Sequence, residues 1–164
     1  SRGHTVFTTA GSKEKCEACE KLGATRAINY REEDFVEVVK AATNGKGVDV
    51  ILDMVGGDYI EKNFRAAAIW GRIVNIAFQK GMVAEVNFAS MLMKRLSFMA
   101  TTLRARSNEE KGIIRDALRR EVWPLIEAGK IKPVVDRVFP LAEAGAAHAR
   151  IAQSAHIGKL LLKP

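Results

Sequence analysis

Residues 48–61 read Val48-Asp49-Val50-Ile51-Leu52-Asp53-Met54-Val55-Gly56-Gly57-Asp58-Tyr59-Ile60-Glu61. The first six residues are apolar on both faces, and a strand of that kind belongs in a parallel sheet covered by helices on each side. Val55-Gly56-Gly57 is the turn that ends it. Asp58, with Glu61 three residues on, has the spacing of a capping box and starts a helix to about Ala68.

The same strand, turn and helix recur on either side. Upstream, His4-Thr5-Val6-Phe7-Thr8-Thr9-Ala10 is β-branched and apolar and ends at Gly11-Ser12, which predicts a buried strand. A helix over residues 13–22 then closes on Gly23. Residues 27–30 predict a second short strand. Residues 32–43 predict a helix with acids in its first turn and with Phe35, Val38, Val39 and Ala42 on one face, stopped by Asn44-Gly45. Downstream, Gly71 leads into a fourth strand over 72–77, residues 88–94 form a short helix, and residues 96–101 a fifth strand. Ser107 and Glu110 make a second capping box for a long helix carried by Ile113, Ile114, Ala117 and Leu118, which Pro124 ends or kinks before Gly129. Five strands alternating with helices predict an α/β fold with a doubly wound parallel sheet.

Past Gly129 the pattern changes. Residues 132–140, a helix over about 142–153, and Leu160-Leu161-Leu162 read as a tail from a different sheet. His148 shares a side with Leu141, Ala144 and Ile151, which reads as a packed histidine rather than a ligand or catalytic base.

The 164 residues are 48% hydrophobic and 27% charged, enough to bury one core, and no apolar run reaches the roughly 20 residues of a membrane span. No starting Met and no export signal precede Ser1-Arg2-Gly3-His4, so the start reads as a cut through a longer, cytoplasmic chain. The net charge of +7 favours anionic partners. Lys13, Lys15, Lys94, Arg95, Arg104, Arg106, Arg119 and Arg120 are spread among acids, which argues against a dedicated nucleic-acid surface and for a phosphate-bearing ligand. Cys16 and Cys19 form a C-x-x-C with no second pair to complete a zinc site. They fall about one turn apart inside a helix and read as two reduced thiols on one side of it.

In a doubly wound sheet the ligand lies beyond the carboxyl ends of the strands. Here those ends hold Ala10-Gly11-Ser12, Tyr30-Arg31, the turn after Asp53, Ala77-Phe78-Gln79 and Thr101-Thr102-Leu103-Arg104. They are rich in glycine, hydroxyls and cations and poor in acid/base pairs. An NAD-selective site places an acid where the strand ends at Gly11-Ser12. Ser12, Lys13 and Lys15 could instead surround a 2′-phosphate, with Tyr30 or Arg31 closing it from the next strand end. An ordinary helix start with solvated lysines is the other reading of the same residues.

Ala10-Gly11-Ser12-x-x-Lys15, Leu22-Gly23-Ala24, Asn29-Tyr30, Asp53-x-x-Gly56-Gly57, Gly71-Arg72-Ile73-Val74, Thr102-Leu103-Arg104-x-Arg106 and His156-Ile157-Gly158-Lys159 occur in this order. As a set they resemble the carboxyl-terminal half of the zinc-independent medium-chain reductases, the zeta-crystallin-like NADPH:quinone oxidoreductases, and within them the tumour-suppressor-inducible branch. The resemblance implies a Rossmann-type fold lacking its first strand and glycine-rich turn. Residues 1–129 would be a partial NADP-binding domain, and residues 130–164 a tail of the absent GroES-like catalytic domain. It implies that Gly11, Ser12, Lys15 and Tyr30 hold the adenosine 2′-phosphate. Val55 and Gly56 would lie near the adenosine, and Ala77, Phe78, Thr101, Thr102 and Leu103 beside the nicotinamide ribose and ring. The implied reaction is hydride transfer from NADPH to a quinone or activated alkene, and it assigns no catalytic acid, nucleophile or metal ligand.

No G-x-G-x-x-G occurs in the chain, so the fragment by itself is expected to be inactive. In the family the strand over 96–101 pairs with its copy across a two-fold axis. The missing strand belongs between the strands at Val6 and Val50, a gap that direct pairing of those two, a swapped segment such as Leu160-Leu161-Leu162, or rearrangement would close. Two alternatives remain: a non-enzymatic nucleotide-binding module and an RNA-binding one. Which quinone or enone is used is not legible in the residues.

Overall fold

Two separate parallel sheets carry the stretch Thr5–Lys111 in a computed structural model whose described residues are 2–164. Ser1, the first residue of the Ser1-Arg2-Gly3-His4 start read above, lies outside them. β1 (Phe7–Ala10) pairs with β2 (Arg26–Asn29), and β3 (Val48–Asp53), β4 (Ala67–Asn75) and β5 (Ser97–Ala100) form a second sheet in that order. Four helices connect them: α1 (Lys13–Lys21), α2 (Phe35–Ala42), α3 (Tyr59–Ala66) and α4 (Ala89–Lys94). This is the expected α/β alternation, with every pairing parallel.

β1 and β3 each keep one edge with no strand beside it among the described residues. These are the two edges between which the resemblance described above implies a further strand. Direct pairing of β1 with β3 does not close it, and the Leu160-Leu161-Leu162 segment is paired elsewhere. The two sheets cohere through side chains. Ile28, Phe35, Val36, Val39, Tyr59 and Ala66 form one buried cluster, against which Phe7 from β1 and Val48 and Ile51 from β3 pack. A second cluster of Phe64, Ala67, Ile73 and Leu96 sits under β4 and β5.

Several local expectations are corrected. Val50 and Leu52 are 52% and 66% exposed, so the apolar outer face of β3 is uncovered in this unit, while Ile51 points to the core. α2 starts at Phe35 rather than residue 32, because the Asp34 carboxylate caps it by accepting from the Val36 N–H at 2.9 Å. The Asp58–Glu61 capping box does not form. The first amides of α3 are taken by backbone instead, Tyr59 N–H donating to Gly56 O at 3.1 Å and Ile60 N–H to Gly57 O at 3.2 Å. The Ser107–Glu110 box does form, with Ser107 N–H to Glu110 Oε2 at 2.9 Å and Glu110 N–H to Ser107 Oγ at 3.2 Å. It opens α5 (Asn108–Glu121), and the chain breaks at Val122 before α6 (Trp123–Glu127), whose first turn holds Pro124.

The second compact unit joins the residues up to His4 with Gly112–Pro164. Within it β6 (Val135–Pro140) pairs in parallel with β7 (Lys159–Lys163), across a 3₁₀ turn (Leu141–Glu143) and α7 (Ala144–Ala152). α7 turns Ala147 inward. His148, expected to be packed, is exposed, as are Leu141 and Ile151. Asp136 holds this unit together: Arg150 donates to both its oxygens at 2.6 and 3.1 Å, and the Ile157 N–H adds a third bond at 3.0 Å. The Arg150 hydrogen bond, followed by that amide, brings the Asp136 carboxyl down to about 2 from 3.8. A depressed carboxylate contributes stability above its unfolded value and loses it as pH falls through the folded one. The Ile157 amide resonance should therefore hold steady down to about pH 3 and then move with a midpoint at about pH 2. Asp136→Asn should remove that step, and an Ile157 amide indifferent to this range would refute the assignment.

Candidate functional site

The carboxyl ends of β1 and β2 are tied together by the Tyr30 N–H, which donates to Ala10 O at 3.1 Å. Gly11 follows, and a Cβ there would come within 2.6 Å of the Tyr30 hydroxyl, so only glycine leaves the phenol room to lie across the strand end. Ser12 is the N-cap of α1 in extended conformation, and its Oγ accepts from the Lys15 N–H at 3.3 Å. That bond uses a lone pair and leaves the hydroxyl proton to be donated outward. Tyr30 is 45% exposed. Gly11, Ser12, Lys15 and Tyr30 are thus brought to one place, at the start of a nine-residue helix.

At the end of β3, Asp53 is buried and organises the next turn. Its carboxylate accepts from the Val55 N–H at 2.7 Å, from the Gly56 N–H at 3.3 Å and from Asn75 Nδ2 at 3.0 Å across the β3–β4 pair. Asn75 is buried too, and its Oδ1 has no protein partner. The loop after β4 folds over this turn: Gln79 N–H donates to Met54 O, Lys80 N–H to Val55 O at 2.8 Å, and Gly57 N–H to Gly81 O. Gly56, at φ +68°, allows this approach, since a Cβ there would meet Phe78 Cδ1 at 2.7 Å. Val55, Gly56 and Phe78 are in one assembly, with Ala77 in the same loop. Thr101, Thr102 and Leu103 follow β5, where Thr101 N–H donates to Asn75 O, and Arg106 donates to Thr101 Oγ1 at 2.8 Å and to Thr102 O at 3.1 Å. All three are exposed.

Tyr59, at the start of α3, packs between Phe35 of α2 and Lys80 of the loop after β4. Its ring stacks on Phe35 at 5.3 Å. Burial raises its phenol pKa, and the charges of Tyr30, Asp58, Asp53 and Asp34 push it the same way. The Lys80 ammonium lies 5.0 Å from the ring centroid and 3.7 Å from the Asp58 carboxylate. Lys80 and Tyr59 are 21 residues apart in the sequence, and nothing in their spacing predicts the contact. Asp53 and Asn75 leave a fainter signal, as polar residues each ending an apolar strand. Among the described residues no group of three or more His, Cys, Asp or Glu could hold a metal ion.

The profile of the family described as zinc-binding dehydrogenase matches residues 22–162. The chain is 32% identical to a 2-haloacrylate reductase of Burkholderia sp over 168 aligned residues, which cover 99% of this chain and 49% of that protein. It is 32% identical to quinone oxidoreductase-like protein 2 of Bos taurus, over 96% of this chain and 45% of that one. Among solved structures, Escherichia coli quinone oxidoreductase complexed with NADPH superposes with a TM-score of 0.82 at 32% identity, over 99% of this chain and 50% of the other. The chain spans about half the length of the relatives it matches.

Proposed function

The chain belongs to the zinc-binding dehydrogenase family, in the quinone oxidoreductase-like part of the medium-chain dehydrogenases and reductases, and from that membership we propose that it is the NADPH-holding portion of a quinone or enone reductase. We read residues 1–129 as the nucleotide-holding part and residues 130–164 as the tail of the catalytic domain. The ordered motifs favour the zinc-independent, tumour-suppressor-inducible branch and a cytoplasmic enzyme. No helix among the described residues is long and apolar enough to cross a membrane.

The observation that carries the reading is the start of α1. Ser12 keeps a hydroxyl proton to donate at a helix N-terminus, Lys15 stands one turn in, Tyr30 lies across Gly11, and the strand end itself holds no acid. Those donors fit a 2′-phosphate and leave a ribose diol without its usual carboxylate acceptor. The glycines at 11 and 56 keep both turns open where a Cβ would fill the space. Bound NADPH would supply the hydride. Gly11, Ser12, Lys15 and Tyr30 would fix its adenosine end, Val55 and Gly56 would flank the adenosine, and Ala77, Phe78, Thr101, Thr102 and Leu103 would border the nicotinamide side, where the protein's task is to align two rings.

Adenosine 2′,5′-bisphosphate isolates the diagnostic contact. Titrated calorimetrically into the 164-residue chain, it should bind about tenfold or more tightly than 5′-AMP, since one charge-assisted contact is worth roughly 1.5–3 kcal/mol. Equal binding of the two nucleotides would overturn the reading. The same preparation should reduce no benzoquinone, because no glycine-rich turn in it positions the pyrophosphate.

The partner we propose is a second copy. Among the described residues β5 carries no strand on its outer edge, Met99 in it is 44% exposed, and Phe88, Leu92 and Met93 in the segment leading to it are exposed. An unprotected apolar edge of this kind pairs readily. Light scattering should give a mass at least twice 18.0 kDa at micromolar concentration, and Met99→Lys should lower it. A mass near 18.0 kDa throughout would refute edge pairing.

A further inference from the structure

α1 carries a feature that cofactor binding does not use. Cys16 and Cys19 are both free thiols, on one helix, three residues apart, with Cys16 buried and Cys19 half-buried. Cys16 is the fourth residue of the helix, and its N–H donates to Ser12 O at 3.0 Å, so it hangs directly from the cap residue. We propose that Cys16 and Cys19 are an oxidisable pair, closed to a disulfide by hydroperoxides, and that closure loosens the hold of the α1 start on an adenosine 2′-phosphate. The second half rests on the cofactor reading above; the first half does not.

Helix geometry brings the pair within reach of a bond. At 1.5 Å rise and 100° per residue, Cα atoms three apart are separated by about 5 Å, inside the window of roughly 4.4–6.8 Å that disulfides span. The side chains leave the same face, where Cβ atoms sit about 5–6 Å apart, whereas a disulfide draws them to about 3.5–4.5 Å. The bond therefore closes only if that turn tightens towards 3₁₀ form, in which residues i and i+3 eclipse. Tightening changes the path of the turn that begins with Lys15 and hangs from Ser12, and these two residues carry the anion contacts.

The surroundings set the order of events. Burial pushes the Cys16 thiol up, Cys19, Glu20 and Glu33 add to that, and Arg26 opposes it, so Cys16 rests as a thiol and the more exposed Cys19 meets oxidant first. The Cys19 thiolate attacks the terminal oxygen of a hydroperoxide, the O–O bond breaks, and alkoxide or hydroxide leaves, giving a sulfenic acid. Cys16, losing its proton, then attacks that sulfur. The S–S bond forms, the S–O bond breaks, and hydroxide leaves and is protonated to water. Two thiols lose two electrons and two protons in total, and the hydroperoxide is reduced to an alcohol, or to water, with one further water formed.

The test uses the whole chain and hydrogen peroxide. After limited oxidation, intact mass under denaturing alkylation should show an intramolecular loss of two hydrogens, with both thiols blocked together and restored by dithiothreitol. In Cys19→Ser the Cys16 thiol should remain alkylatable. Hydrogen exchange at the Lys15 and Cys16 amides should change on oxidation, and adenosine 2′,5′-bisphosphate should bind about tenfold more weakly, the equivalent of one lost charge-assisted contact. Sulfinic acid at Cys19 with Cys16 intact, or a disulfide between copies, would overturn the pair. A disulfide that leaves the exchange at Lys15 and Cys16 unchanged would overturn the coupling. If the reduced chain shows no preference for the bisphosphate, the cofactor reading falls, while mass and exchange still decide the redox step.

Discussion

Lys15→Ala is expected to weaken NADPH by about ten- to a hundredfold and to leave NADH nearly unchanged, because the two nucleotides differ only at the 2′-phosphate. A charge-assisted hydrogen bond is worth roughly 1.5–3 kcal/mol, and in the proposed site the Ser12 hydroxyl and the Tyr30 phenol stand beside Lys15 as two further donors. Ser12→Ala should act more weakly on binding, since a neutral hydroxyl contributes less than an ammonium. It should also cost about 1 kcal/mol of stability through the lost N-cap, where Ser12 Oγ now accepts from the Lys15 N–H. The two variants therefore separate cofactor selection from helix capping. Titration of both nucleotides against both variants checks this, and equal weakening of NADPH and NADH by Lys15→Ala would sink the assignment.

What was legible in the sequence follows the range of the forces involved. The Ser107–Glu110 box, the close of α1 at Gly23 and the stop at Asn44-Gly45 depend on neighbours a few residues away, and all three are present, with Gly23, Asn44 and Gly45 at positive φ. The Asp58–Glu61 box has equally good local spacing and fails. Gly56 and Gly57, held under the loop after β4, instead lead into the helix through tight turns in which their carbonyls accept from the Tyr59 and Ile60 amides, and Asp58 makes no side-chain cap. His148 shows the sensitivity of a helix face to phase: Ala147 is the residue turned inward, and its neighbour is left in water.

The candidate site divides in the same way. Gly11, Ser12, Lys15 and Tyr30 are legible as candidates because each stands at a strand end or helix start, where ligands in this topology bind, and the fold brings them to one place. The Asp53–Asn75 hydrogen bond and the Lys80–Tyr59 contact join residues 22 and 21 positions apart; the register of β3 with β4 makes the first, and the loop after β4, tied to Val55, makes the second. The uncovered face at Val50 and Leu52 has the same origin. An apolar strand predicts that something covers it, without saying which part of a chain does so.

Lys94→Met is expected to destabilise the Thr5–Lys111 unit by about 2–3 kcal/mol, the scale of hydrogen bonds made by a charged donor. α3 ends at Ala66 and β4 begins at Ala67, so no loop residue is available to turn back and satisfy the last carbonyls of the helix. The Lys94 ammonium does so from α4, donating to Phe64 O at 3.1 Å, Arg65 O at 2.7 Å and Ala67 O at 2.7 Å. Its three N–H groups match those three acceptors, and its charge sits at the negative end of the α3 dipole. Burial lowers the Lys94 pKa, with Lys40 and Arg65 adding to it, so part of the gain is offset by desolvation of the ammonium. Methionine relieves that cost and keeps the stem packed, yet the carbonyls lose their donor, which is the larger effect. Arginine should rescue only in part, because a planar guanidinium does not converge on three acceptors as a compact ammonium does. Lys46→Ala is the control: its bond to Asp49 at 3.2 Å joins two side chains that are 67% and 73% exposed, and such pairs contribute roughly 0–1 kcal/mol. Chemical denaturation of the three variants should rank Lys94→Met as the least stable, Lys94→Arg next, and Lys46→Ala close to the parent. A Lys94→Met chain within about 0.5 kcal/mol of the parent would show that water replaces the ammonium at the end of α3 at little cost.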